Sequence, residues 1–229
     1  MLKGLFVAVD AIIFDFDGTI IDTESADFQA WKAVFDRHGV PLTVELWRQR
    51  VGKVVHNGAQ GVFMPDQYFA QVKGYPLSPE ELRAQEAHYL QLCQNLDLLA
   101  GVREMLEAAK AAGVGLGLAS NSDRAWVEHW ARWYRVWDYF TCVVTRDDVP
   151  NAKPAPDMYL RAAECLGVPP ERCVAIEDSP TGMQAVIAAG IRCIAVPNWL
   201  TVHLGQPEGV ALTLNSLAEL PFEALRARF

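Results

Sequence analysis

The sequence of 229 residues lacks the features that mark several classes of protein. Its N-terminal apolar stretch is broken by Asp10 and Asp15 and has no small-residue cleavage site, so it predicts neither a membrane span nor a signal peptide. There is no basic run, and the net charge of -8 at pH 7 disfavours nucleic acid and anionic membranes as partners. We therefore expect a cytoplasmic protein without a nucleic-acid or membrane partner.

Cysteine is also scarce. The five cysteines are an odd number and include no C-x-x-C pair, and most of them stand in apolar surroundings such as "CIAVP" and "CVAIE". This pattern predicts buried free thiols in a reducing compartment. The five positions are Cys93, Cys142, Cys165, Cys173 and Cys193.

The composition that is present is that of a globular protein. Hydrophobic residues make up 51% of the chain and charged residues 21%. A chain of this length buries roughly 70% of its unfolded surface, so it needs no staple. One domain, or a core with a smaller inserted piece, fits this length, and we expect a monomer.

Strand-like runs alternate with helical patterns through most of the chain. This alternation predicts an α/β fold, a parallel sheet with helices on both faces. The predicted strands are "AIIFDFD" (11–17), "VGLGLAS" (114–120), "CVVT" (142–145), "RCVAIED" (172–178) and "RCIAVPN" (192–198).

One region breaks this rhythm. Residues 25–98 hold the helical patterns "ADFQAWKAVFDRHG" and "PEELRAQEAHYLQLCQNL" and no convincing strand. We therefore predict a helical insertion at 25–98, between two parts of a catalytic core at 1–24 and 99–229.

Four tryptophans follow helical spacing after the second predicted strand. They are Trp126, Trp130, Trp133 and Trp137. The spacing predicts a helix face that packs on the sheet, with a dimer contact as the alternative.

Polar side chains follow the predicted strands at the edge where a parallel sheet binds ligands. That edge is formed by the carboxyl ends of the strands, near the point where the strand order reverses. The residues expected there are Asp15, Asp17, Ser120, Asn121, Lys153, Glu177 and Asp178. Polar residues thus follow four of the predicted strands at the same edge, and together these four positions are stronger evidence for a site than any one of them.

The chemistry of these groups indicates phosphoryl transfer with a bound cation. Asp15 and Asp17 are two residues apart on an extended strand, so they point to the same side. Glu177 and Asp178 add like charges that repel one another unless a cation lies between them. A few hard oxygen ligands suit Mg²⁺, which also binds a substrate phosphate, and Lys153 supplies fixed positive charge. A carboxylate can also be the nucleophile.

The motifs "DFDGT", "SN", "KP" and "EDSPTG", in this order, resemble those of the haloacid dehalogenase-like (HAD) hydrolase superfamily. The resemblance covers nearly the whole chain, and the helical insertion is similar to that superfamily's cap domain. It is strongest to the branch with beta-phosphoglucomutase and small phosphatases such as phosphoglycolate phosphatase. The resemblance implies a Rossmann-like core and a Mg²⁺-dependent phosphatase for a small phosphorylated metabolite.

The same resemblance implies a role for each motif residue. Asp15 would be the nucleophile that takes the phosphoryl group, and Asp17 would be the acid/base. The residues implied to hold the phosphate are Thr19, Ser120, Asn121 and Lys153. The implied Mg²⁺ ligands are Asp15, Asp17 through its main-chain carbonyl, Asp178, and Glu177 either directly or through water.

The residues that set substrate specificity are expected in the insertion. Lys53, His56 and Arg50, in "RQRVGKVVHNG", are polar groups that could face the site, although solvation at the surface explains them equally well. The "VGK" triplet resembles a specificity loop of the family's caps.

Three other functions use related chemistry. A phosphomutase would pass the phosphoryl group back to a sugar hydroxyl, but Asp27 stands where beta-phosphoglucomutases carry a His. Dehalogenation needs no metal and leaves Asp17 and Glu177–Asp178 unexplained. A receiver-type phosphoacceptor would be about half as long and would have no cap. The sequence thus favours a phosphatase, with a phosphomutase as the alternative.

Overall fold

A six-stranded parallel sheet forms the centre of the protein in a computed structural model, which describes residues 9–51 and 62–229. The strand order is β3–β2–β1–β4–β5–β6. The strands are β1 (Ala11–Phe14), β2 (Gly115–Ser120), β3 (Cys142–Thr145), β4 (Cys173–Glu177), β5 (Arg192–Ala195) and β6 (Leu212–Thr213). The first five were predicted, whereas β6 is too short to give a sequence pattern.

Nine α-helices occur in these two described ranges, and several begin at a residue that caps them. The side chain of Asp22 accepts a hydrogen bond from the Ser25 amide at the start of α1, and Ser78 and Glu81 form a capping box on α4. The helices are α1 (Thr23–Arg37), α2 (Val44–Trp47), α3 (Pro65–Lys73), α4 (Pro79–Gln94), α5 (Val102–Ala111), α6 (Arg124–Trp133), α7 (Asp157–Leu166), α8 (Pro180–Ala188) and α9 (Phe222–Arg228).

Two hydrophobic cores lie on the two faces of the sheet. Along β1, Ile12 and Phe14 point into one core, whereas Ala11 and Ile13 point into the other, as strand geometry requires. Helices α5, α6 and α9 cover the first face, and α7 and α8 cover the second. The predicted Rossmann-like parallel sheet with helices on both faces is therefore confirmed.

Helices α1 to α4 lie between β1 and β2 in the chain, and residues of α1, α2 and α3 form a third hydrophobic core that also includes Leu200. That core is largely aromatic, and its buried rings include Phe28, Trp31, Phe35, Trp47 and Phe69. The division of the chain at residues 24/25 and 98/99 stays a prediction. None of the helices in the described ranges is long and apolar enough to cross a membrane.

The cysteine prediction is wrong for one pair. Cys142 on β3 and Cys165 on α7 form a disulfide, with their Cα atoms 6.0 Å apart. Because α7 packs directly on β3, two cysteines 23 residues apart in sequence meet there, which their spacing gave no reason to expect. The other three cysteines are buried free thiols, as predicted.

The tryptophan prediction holds only in part. Trp130 is fully buried in the core, but 51% of Trp133 is exposed to solvent. Helix α6 ends at Trp133, so Trp137 does not continue the same helical face. The indole N–H of Trp126 donates a hydrogen bond to the side chain of Asp17.

Candidate active site

The carboxyl ends of β1, β2 and β4 bring the predicted polar residues together. Asp15 follows β1 directly, Ser120 is the last residue of β2, and Glu177 is the last residue of β4. Both β2 and β4 pair with β1, so these ends are neighbours in the sheet. A cavity of about 320 Å³ opens here, lined at this end by Asp15, Asp17, Ser120, Asn121, Lys153 and Asp178.

A buried lysine holds the centre of the site. The Nζ atom of Lys153 donates to Oδ1 of Asp15 at 2.6 Å, to Oε1 of Glu177 at 2.7 Å, and to the Ala119 carbonyl at 2.9 Å. Burial opposes its positive charge, but the two carboxylates outweigh burial and raise the pKa of Lys153 above its usual value. The ammonium is therefore a fixed positive charge beside Asp15.

Glu177 is fully buried, and hydrogen bonds hold both of its oxygens. Its Oε1 also accepts from the Tyr159 hydroxyl at 2.7 Å, and its Oε2 accepts from the Ser179 amide at 3.3 Å. Space for this carboxylate exists because residue 182 is glycine, where a Cβ would lie 1.8 Å from Oε1. No sequence pattern pointed to Tyr159, whereas Gly182 is the last residue of the "EDSPTG" motif, to which no separate role was assigned.

Three carboxylates converge in an arrangement that could hold a cation. One oxygen from each of Asp15, Glu177 and Asp178 can be chosen so that all lie within 4.8 Å of one another. Burial, followed by repulsion from Glu177, raises the pKa of Asp15 to about 7, and burial and repulsion from Asp15 also raise the pKa of Asp178. Buried oxygen ligands that disfavour one another's charge fit a divalent cation such as Mg²⁺.

The turn after β1 shapes the same site. Gly18 has φ +88°, and a Cβ there would lie 2.5 Å from Oδ2 of Asp178. Glycine is therefore required at this position of the "DFDGT" motif both for the backbone and for the space. The side-chain amide of Asn198 donates through Nδ2 to the same Oδ2 at 3.0 Å and orients it.

Asp17 lies beside Asp15, and four side chains bind its carboxylate. Oδ1 accepts from the Thr23 hydroxyl at 2.6 Å and from the Trp126 indole at 3.0 Å. Oδ2 accepts from the Ser122 hydroxyl at 2.6 Å and from the Ser120 hydroxyl at 3.5 Å. Ser122 and Trp126 were missed as site residues, because neither is in the "SN" motif that drew attention to β2.

The three residues expected to hold phosphate besides Lys153 have different surroundings. Ser120 and Asn121 line the cavity, and Asn121 accepts from the Lys153 amide at 2.9 Å, so it also holds that segment in place. Thr19 is buried and is not among the lining residues, and its hydroxyl has no hydrogen-bond partner within the described ranges. The structure therefore places Ser120 and Asn121 in the cavity wall and Thr19 behind it.

Helices α1 and α4 form another part of the cavity wall. Glu24, Asp27, Arg50 and Tyr89 line it, and Arg50 forms an ion pair with Asp27 at 3.2 Å. Burial, followed by repulsion from Asp27, raises the pKa of Glu24 to about 8. Sequence analysis named Arg50 as a candidate but missed Glu24 and Tyr89, whereas Lys53 and His56 lie outside the described residues.

Carboxylates and a buried lysine at the carboxyl ends of parallel strands define a Rossmann-like α/β enzyme. Residues 9–190 match the haloacid dehalogenase-like hydrolase family. The chain therefore belongs to the haloacid dehalogenase-like hydrolases.

The chain is also similar in sequence and in structure to individual proteins. The protein YhcW of Bacillus subtilis is 37% identical over 95% of this chain and 96% of its own length. A "Phosphorylated carbohydrates phosphatase" of Thermotoga maritima is 33% identical, over 81% of this chain and 84% of its own. The crystal structure of a HAD family hydrolase from Deinococcus radiodurans, with bound phosphate and sodium, has a TM-score of 0.77 and 30% identity over 97% of both chains.

Proposed function

We propose that this enzyme is a phosphatase that hydrolyses a small phosphorylated metabolite, of the sugar phosphate class, through an aspartyl-phosphate. The observation that carries the proposal is the pair of Asp15 and Lys153 in the wall of the cavity, with Asp17 beside them. A carboxylate held by an ammonium at the end of a strand is a nucleophile placed where a phosphate would enter.

The first step makes a phosphoenzyme. An oxygen of Asp15 attacks phosphorus and forms an O–P bond, while the bond from phosphorus to the ester oxygen breaks. Asp17 gives a proton to the departing oxygen, so the product leaves as an alcohol. Lys153 stabilises the charge that develops on the phosphoryl oxygens.

The second step returns the enzyme to its starting state. Asp17, now ionised, takes a proton from a water molecule, and the oxygen of that water attacks phosphorus. The bond between phosphorus and the Asp15 oxygen breaks, which releases inorganic phosphate. In both steps we assign the binding of phosphate oxygens to Ser120 and Asn121, which line the cavity, whereas for Thr19 this role rests on the family resemblance alone.

The proposal includes a Mg²⁺ ion. The residues that would hold it are Asp15, Asp17 through its main-chain carbonyl, Asp178, and Glu177 directly or through water. When bound, Mg²⁺ neutralises the phosphate and lets a negatively charged nucleophile approach it. Because Lys153 and Tyr159 both donate to Oε1 of Glu177, Glu177 also orients the lysine.

The part of the cavity wall formed by the insertion supports a hydroxylated leaving group. The carboxyl groups of Glu24 and Asp27 and the guanidinium of Arg50 line the same cavity as Asp15 and Lys153. Carboxyl groups and a guanidinium can bind several sugar hydroxyls at once. Lys53 and His56 stay candidates for specificity.

The proposal is tested by phosphate release from a panel of phosphorylated metabolites, with Mg²⁺ and after its removal with EDTA. We expect Mg²⁺-dependent release from one or a few sugar phosphates, with complete loss in Asp15→Asn. Asp36→Asn is the matched control, because Asp36 is exposed and pairs only with Lys32 among its described contacts. Conversion of beta-glucose 1-phosphate to glucose 6-phosphate, with its bisphosphate activator and little free phosphate, would favour the phosphomutase instead.

A further inference from the structure

The indole of Trp126 is the one aromatic group that binds the acid/base Asp17 among the contacts of the described residues. Its Nε1–H donates to Oδ1 of Asp17 at 3.0 Å. Trp126 is in the first turn of α6, and its amide is capped by Oδ1 of Asp123 at 2.8 Å. The buried ring of Trp130 meets the indole edge-on at 5.6 Å, so the core side of Trp126 is fixed.

The other side of the indole contacts a helix of the insertion. The ring of Tyr89, on α4, stacks on Trp126 with 5.4 Å between the ring centroids and 15° between the ring planes. Tyr89 and Trp126 both line the cavity. Trp126 therefore touches α4 with its face and the carboxylate of Asp17 with its N–H.

An indole N–H constrains a carboxylate in a way that a hydroxyl cannot. It is a donor only, whereas the serine and threonine hydroxyls on Asp17 can donate or accept. Trp126 therefore keeps Oδ1 of Asp17 as an acceptor and fixes the plane of the carboxylate. A misplacement of about 1 Å can cost on the order of 10²-fold in rate, so this orientation matters for proton transfer.

We propose that Trp126 is a positioning residue for Asp17, and that the stack of Tyr89 on its ring makes this positioning depend on where α4 lies. When α4 lies against the core, the stack holds the indole and the indole holds Oδ1. This inference rests on the proposed role of Asp17 as the acid that protonates the leaving group.

The test uses two substrates that differ in their need for an acid. A sugar alkoxide needs a proton to leave, whereas 4-nitrophenolate leaves without one, and kcat/KM reports the steps up to departure of the leaving group. We expect Trp126→Phe to lower kcat/KM about tenfold for the best sugar phosphate of the panel and less than about threefold for 4-nitrophenyl phosphate. The loss for the sugar phosphate should lie in kcat rather than in KM. Trp133→Phe, on the same helix and half exposed, should change neither value.

A second pair of variants tests the stack. Tyr89→Phe keeps the ring and should keep the ratio of the two kcat/KM values close to that of the unchanged enzyme, whereas Tyr89→Leu removes the stack and should show the same substrate difference as Trp126→Phe. An equal loss on both substrates in Trp126→Phe, or no loss at all, would overturn the inference. If Tyr89→Leu shows the same kcat/KM values as the unchanged enzyme, the dependence of the positioning on α4 is refuted.

Asp17→Asn separates the inference from the proposed function. It should show the substrate difference in its strongest form. If Asp17→Asn shows it and Trp126→Phe does not, the positioning role is wrong while the proposed function stands. If kcat/KM of Asp17→Asn falls equally for both substrates, Asp17 is not the acid, so the positioning role fails together with the acid assignment in the proposed function.

Discussion

Gly182→Ala adds only a single methyl group to a helix, but this group should displace the carboxylate of Glu177 from its position in the site. Gly182 lies in the first turns of α8, and an added Cβ would lie 1.8 Å from Oε1, 2.0 Å from Cδ and 2.2 Å from Oε2 of Glu177. Contacts shorter than 3.0 Å are essentially never seen for a Cβ, so the carboxylate must retreat by more than ~1 Å.

The expected cost follows from what Glu177 would lose. Its charge-assisted bond with Lys153 is worth about 1.5–3 kcal/mol and its bond with Tyr159 about 1 kcal/mol. Alanine returns about 1 kcal/mol in helix propensity relative to glycine. We therefore expect a net loss of about 1.5–3 kcal/mol in the free energy of unfolding, or about 3–12 °C in Tm for a chain of this size.

The assay is urea denaturation followed by circular dichroism, together with phosphatase activity as a function of Mg²⁺ concentration. Gly115→Ala on β2 is the matched control, because its Cβ would meet nothing closer than 3.4 Å. We expect Gly115→Ala to change stability by less than about 1 kcal/mol and to leave the Mg²⁺ requirement unchanged. If Gly182→Ala keeps full stability and the normal Mg²⁺ requirement, Glu177 is not held as described.

The other predictions concern charge. Lys153→Met should lower the free energy of unfolding by about 3–5 kcal/mol, because it leaves Asp15 and Glu177 buried without their ammonium, and urea denaturation would measure it. The pKa of Glu24 is raised from 4.5 to about 8, so the folded state keeps a proton that the unfolded state releases, and stability should fall as the pH rises from 4.5 to about 8. Because Glu24 is partly exposed, we expect about 2 kcal/mol from this group, and the Glu24→Gln protein should lack that part of the pH dependence in the same assay. Asp17→Asn should slow hydrolysis of the aspartyl-phosphate. Rapid mixing with 4-nitrophenyl phosphate should then show a burst of 4-nitrophenolate. Steady turnover at the normal rate would contradict the role of Asp17 as the base.

Much of the fold could be read from the sequence because its signals are local. Strand-like apolar runs that alternate with helical patterns predicted five strands and helices on both faces of the sheet. The strand β6 was not predicted, because a strand of two residues is too short to show a periodic pattern. The order of the motifs predicted the core of the site, since parallel strands put their carboxyl ends at one edge.

The sequence by itself determined the type of fold and the residues that gather at the carboxyl ends of β1, β2 and β4. Tertiary structure alone decided which distant groups touch them. Glu24 and Tyr89 reach the cavity because α1 and α4 pack over it, and the Cys142–Cys165 disulfide exists because α7 lies on β3. Trp126 has the spacing of a core residue, but it binds Asp17, 109 residues away in the sequence. Local periodicity records which face of a helix is covered, whereas the identity of the covering group depends on how separate elements pack.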